Sequence, residues 1–126
     1  MDARFLPGLE QDFFEQFDAL LDEGVTYEAE VQDISLSTPF EGELVDKMTA
    51  ALIAEDPDAV PVPYTLSAGT DAKALSRLDI RCFGFAPLQL PADLDFAALF
   101  HGIDERVPVE SLEFGVRVLD RFLRTA

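Results

Sequence analysis

The chain has 126 residues, 48% of them hydrophobic and eleven of them Phe, with 25 acidic residues against 9 basic ones for a formal net charge of −16. That length and apolar content support one modest domain with a core of its own and exclude a disordered chain. The charge excludes nucleic acid and anionic membranes as partners, because such a surface repels phosphate.

"MDARFLPG" carries neither the basic segment nor the apolar stretch of a signal peptide. No run of about 18 apolar residues exists to cross a bilayer, so a cytoplasmic location is expected. "DARFL" reads as a short strand. In "LEQDFFEQFDALLDE", Phe13, Phe14, Phe17, Leu20 and Leu21 fall on one face of a helix, with Gly24 as its stop signal. "VTYEAEVQD" alternates, with Val25, Tyr27, Ala29 and Val31 on one side and Thr26, Glu28, Glu30 and Gln32 on the other. That pattern predicts an antiparallel strand with one wet face.

"SLSTPFEGELVDKMTAAL" predicts a second helix, with Thr38 as N-cap, Pro39 at the first helical position and Glu41 completing a capping box. Its expected buried stripe is Phe40, Leu44, Met48 and Leu52, with Val45 alongside. "EDPDAVPVP" breaks it. "YTLS" reads as a short strand running into the glycine turn of "AGTDAKALSRLD", where Thr70 or Asp71 caps a short helix. "IRCFGFAP" has the pattern of a strand buried on both faces. It holds the single cysteine, Cys82, which excludes an internal disulfide and reads as a buried, inert thiol.

"LQLPADLDFAALFHGIDER" is a long irregular stretch with a helical turn expected around Phe96, and loops of this length in small domains are often functional. The last helix, "VPVESLEFGVRVLDRFLRT", is expected to bury Val109, Leu112, Val116, Leu119 and Leu123, with arginines at its C-terminal end. The pattern changes near residue 36. A helix with a wet-faced strand precedes that point, and helices alternating with buried strands follow it. The expected class is therefore α/β, joined to the end of an α+β layer.

Several residues carry candidate chemistry. His101 is the only histidine, and imidazole is the commonest metal ligand. On a helix, Glu105 would share its face, but Gly102 and Pro108 argue against a helix there. A zinc site takes three or four ligands, so from the residues alone His101 reads first as an ordinary loop histidine. "SAGTDAK" places Gly69 and Thr70 in a turn opening a helix, an arrangement that offers backbone N–H groups to an anion. It also reads as a plain strand-to-helix turn, since no phosphate-loop lysine follows. Arg4 can hold a carboxylate bidentately or stand as a surface arginine. No GxSxG motif is present, and the acidic pairs are too numerous to single one out. The acidity suits a divalent cation but locates none.

In order along the chain, "DARFLPG", "AGTDAKAL", "FGFAPL" and "FHGIDERVPVESLEFGVRVL" resemble the C-terminal part of the aminoacylase / carboxypeptidase G / succinyl-diaminopimelate desuccinylase family of zinc peptidases (peptidase family M-twenty). The resemblance covers nearly all of this chain but only about the last third of a typical member. It implies a catalytic α/β domain over residues 37–126, preceded over 1–36 by the end of an α+β lid that often dimerises. It also implies two zinc ions in the intact enzyme, with His101 as the last metal ligand. Gly69 and Thr70 would line the substrate site, and Arg4 would hold the substrate carboxylate. Asp71 and Glu105 would be supporting members of their motifs. Ala68 replaces the usual first glycine of the turn. The family's His-x-Asp motif, bridging aspartate, Glu-Glu pair and further carboxylate ligand do not occur here. The chain is thus expected to supply one ligand and part of a pocket for small peptides or N-acyl amino acids. Alone it would be inactive and would hold zinc weakly or not at all. Its expected partners are the N-terminal part of the same enzyme and a second copy. A non-enzymatic acidic interaction or dimerisation module, meeting its partner through the strand from Val25 and the helix beside it, is the alternative.

Overall fold

A computed structural model describes residues 3, 4, 6–30, 33–66 and 68–126. Among them the regular elements are α1 (Glu10–Ala19), α2 (Glu43–Glu55), α3 (Ala72–Ser76), a 3₁₀ turn (Ala97–Leu99) and α4 (Val109–Thr125). The chain divides into two compact units, residues 1–39 with 63–83, and residues 40–62 with 84–126.

The α/β expectation is overturned, and with it the α+β layer at the start. The described residues contain helices and no strand. Alternation is a property of one segment, whereas a ladder needs a second segment to meet its N–H and C=O groups. Residues 25–30 are exposed and irregular, and no backbone bond joins them to another extended segment. Tyr27 instead sets its ring edge-on to Phe17 of α1, with centroids 5.0 Å apart. Its hydroxyl donates to Asp18, which raises the phenol's pKa. Residues 64–66 lie between Pro61 and Pro63 and a glycine turn, and the missing proline N–H groups weaken any pairing there. "IRCFGFAP" is not buried on both faces: Ile80, Arg81, Gly84 and Ala86 are exposed, and Cys82, Phe83 and Phe85 are half-buried. Of the expected strand residues, Asp2, Phe5, Val31, Gln32 and Ser67 lie outside the described set.

In the first unit, α1 half-buries Phe13, Phe14, Phe17 and, just beyond its end, Leu21, while Leu20 is exposed. The helix ends sooner than expected, and Gly24 serves the following turn at φ 87°. The predicted capping box does not start the second helix. Gly42, at φ 100° and ψ 172°, is its N-cap, and that non-helical backbone keeps the helix from reaching back to Thr38. Thr38 donates its hydroxyl to the Cys82 carbonyl at 2.8 Å instead.

The second unit is built on α2 packed against α4. Its core joins Ala51, Phe114 and Val118 with the partly buried Leu52, Phe85 and Phe122. The Phe85 and Phe122 rings meet edge-on at 5.7 Å. Val45 and Met48 extend the buried face of α2, while Phe40 and Leu44 from the expected stripe are exposed. The correction on α4 is larger. Its buried side is Ser111, Phe114, Gly115 and Val118, and all five residues of the expected stripe are exposed, Leu119 least at 37% and Leu123 most at 69%. The two sets differ by about one residue, or roughly 100° around the helix. Gly115 explains the choice. The Pro87 carbonyl oxygen would stand 2.8 Å from a Cβ at that position, so only glycine admits the 84–90 segment. Ser111 completes the contact by donating to the Gln89 carbonyl at 2.6 Å.

Two arginines of α4 fasten its outer edge to α2. Arg117 Nε and Arg121 Nε donate to the two oxygens of Glu55, at 3.0 and 3.2 Å. The Glu55 side chain is only 15% exposed, and the two guanidinium groups hold its carboxyl below the usual carboxylate range.

Candidate functional site

The "AGTDAKAL" motif forms a real surface feature. Asp71 is the N-cap of α3, and its carbonyl accepts from Ala74 N and Leu75 N at 3.0 and 3.1 Å. No side-chain cap bond forms at this helix start. Gly69, Thr70 and Asp71 line a solvent-open hollow of about 430 Å³, together with Asp33, Lys73, Ala74 and Arg77. These three expected residues are consecutive in the chain, so their common place in the hollow follows from the sequence. Arg4 is exposed and is not among the residues lining this hollow.

Three residues in the hollow were not flagged by the sequence. Lys73 and Arg77 stand one helical turn apart and converge on Asp33. Lys73 Nζ is 3.7 Å from Oδ2, and Arg77 Nη2 donates to Oδ1 at 3.4 Å. The i, i+4 spacing of the two cations was legible in "KALSR". Their meeting with Asp33, about forty residues earlier, was not, because only the folded chain brings those segments together.

His101 belongs to the other unit. It is exposed, at φ 57°, in a turn that follows the 3₁₀ segment. Gly102 N donates to the Leu99 carbonyl at 3.0 Å, and Arg106 Nη1 donates to the Asp104 carbonyl at 2.9 Å, so backbone contacts define this turn. The imidazole makes no hydrogen bond among the described residues. The left-handed region suits glycine best and tolerates His, Asn and Asp better than other residues. Glu105 is exposed beyond the turn and does not share a helical face with His101.

Among the described residues, no group of three or more His, Cys, Asp and Glu side chains is placed to hold a metal ion. Zinc takes three or four such ligands, so the residues present do not by themselves fit a zinc centre. His101 is a single donor. Cys82 is a half-buried free thiol that donates weakly to the Ile80 carbonyl at 3.7 Å. No helix among the described residues is long and apolar enough to cross a membrane.

Family models, curated proteins and solved structures offer no match to this chain.

One unit offers a polar hollow with a Gly-Thr edge and two cations. The other offers an exposed imidazole on a left-handed turn.

Proposed function

We propose that this chain is the C-terminal portion of a zinc-dependent peptidase or amidohydrolase of the aminoacylase / carboxypeptidase G / succinyl-diaminopimelate desuccinylase family. It acts on amide bonds of small peptides or N-acyl amino acids only with the portion that carries the other ligands and the general base. Residues 1–36 then correspond to the end of the lid and 37–126 to the end of the catalytic domain. The observation that carries this reading is His101. An exposed side chain with no hydrogen bond among the described residues stands where glycine would be conformationally cheaper. A left-handed turn tolerates histidine without calling for it, and a role as ligand to one of two zinc ions, completed by an upstream portion, supplies the reason for an imidazole there. Gly69 and Thr70 supply one wall of the substrate pocket, Arg4 reaches a substrate carboxylate, and Asp71 and Glu105 support their turns.

The test is reconstitution. The coding sequence upstream of Met1, or of a neighbouring gene, is read for a His-x-Asp segment, and the two parts are co-expressed with zinc. Hydrolysis of an N-acetyl amino acid is expected, with His101→Ala lowering kcat at least a hundredfold and leaving the unfolding midpoint of the chain unchanged. Undiminished activity of His101→Ala, or the lack of any such upstream segment, overturns the reading.

One observation favours the alternative of an interaction module. Val109, Leu112, Val116, Leu119 and Leu123 recur at i, i+3, i+7, i+10 and i+14 along α4, all exposed. That spacing is the seam of a paired helix. A second copy of the chain carries the same seam and closes it with two-fold symmetry.

A further inference from the structure

We infer that Lys73 and Arg77 form the carboxylate-binding end of the hollow beside Gly69 and Thr70, and that Asp33 occupies this place as an internal competitor. The inference rests on the proposed peptidase reading only for naming the anion as a substrate carboxylate, and it gives that carboxylate to Lys73 and Arg77 in place of Arg4, which does not line the hollow.

The two cations lie four residues apart on α3 and its C-cap, and both face one carboxylate. Asp33 thus marks where a carboxylate fits between them, one oxygen toward each. Its hold is loose. Charge-assisted N–H···O⁻ contacts close to about 2.7–2.9 Å, and these stand at 3.7 and 3.4 Å. Neither cation is saturated by its partner. Lys73 is 29% exposed in its side chain, Asp33 30% and Arg77 72%, so an incoming anion reaches all three. Thr70 adds a hydroxyl at the rim. No heavy atom lies within 4 Å of where a Gly69 Cβ would stand, which leaves the backbone there open to approach. Arg117 and Arg121 also converge on one carboxylate, but theirs, Glu55, is only 15% exposed, whereas Asp33 is 30% exposed and its contacts are longer. Asp33 and Asp71 also line the hollow, so the four charges sum to zero. Once Asp33 swings away, Lys73, Arg77 and Asp71 leave a single positive charge, which matches a singly charged carboxylate and under-compensates a phosphate with nearly two charges.

The experiment titrates the 126-residue chain with N-acetylalaninate, with the neutral N-acetylalaninamide and with inorganic phosphate. Amide resonances of Gly69, Thr70, Lys73 and Arg77 are followed by NMR. The carboxylate is expected to shift these resonances saturably, and the amide is expected to leave them in place. Arg77→Ala and Lys73→Ala should each weaken binding at least fivefold. Asp33→Asn should tighten it severalfold, an outcome that a purely structural ion pair does not produce. Asp71→Asn provides a second variant, expected to tighten binding without touching the Asp33 contacts. Equal response to the amide, tighter binding of phosphate, or no change in affinity on removing either cation overturns the inference. Reconstituted activity without carboxylate binding here also removes this site and leaves the peptidase reading. Carboxylate binding without reconstitution removes that reading and leaves the site standing.

Discussion

At position 115 a methyl group decides between two opposing effects. Alanine is a better helix former than glycine by about 1 kcal/mol. Yet a Cβ there would stand 2.8 Å from the Pro87 carbonyl oxygen, with Leu88 Cδ2 at 3.4 Å. Backbone must move to admit it, and overpacking of this kind costs about 1–3 kcal/mol. Gly115→Ala is therefore expected to lower the urea midpoint, while Gly8→Ala or Gly24→Ala would act through their positive φ values alone. A stabilised Gly115→Ala would show that the 84–90 segment yields freely. The sequence held a hint, since an isolated glycine inside a helical pattern signals close approach. It could not say what approaches. His101 is the complementary case. The residue type was visible, but its left-handed backbone and its lack of partners are tertiary facts.

At the scale of elements, the α2–α4 pair carries a pH dependence through Glu55. Arg121 and Arg117 hold its carboxyl below the ordinary value of 4.5. A depressed folded-state pKa contributes stability that is fully present above the unfolded value and is lost as pH falls through the folded one. Wild type is thus expected to exceed Glu55→Gln in urea midpoint at pH 7, with the gap closing as pH drops below about 4.5. Glu43 and Asp120 are also held low, by Lys47 and Arg124, so the readout is the difference between the two proteins. Both arginines are about half exposed, so salt should narrow the gap as well. A constant gap from pH 3 to 7 would show that Glu55 acts by packing alone. The last helix was legible in the sequence almost to the residue, but the face it buries was not. Five apolar residues at 109, 112, 116, 119 and 123 outscore a set containing Ser111 and Gly115 on hydrophobicity. The set with the smaller residues is the one that lets another segment come close.

At the scale of the whole molecule, two properties oppose each other. The exposed α4 seam favours association between copies, and a charge of −16 on each copy opposes it. Screening weakens the repulsion and leaves apolar burial intact. Sedimentation velocity is therefore expected to show a dimer that strengthens from 50 to 500 mM salt. Leu112→Glu with Leu119→Glu should yield a monomer at both, and its unfolding midpoint should match that of wild type only at protein concentrations too low for wild type to dimerise, because both side chains are exposed in the single chain. A wild-type monomer at high salt and high concentration would remove the dimerisation reading.

The sequence by itself determined which stretches form the long helices, though not where the first ends or the second begins, that the chain carries one histidine and one cysteine, and that a Gly-Thr-Asp turn opens a short helix. These follow from local rules, since periodicity, glycine and proline act within a few residues. It promised strands that do not form among the described residues, because a strand exists only when a second segment pairs with it, and alternation carries no information about that segment. Only the tertiary structure decided which face of α4 is covered, and only it placed Asp33 between Lys73 and Arg77. Both depend on contacts between residues far apart in the chain, where packing and charge are settled by what arrives alongside.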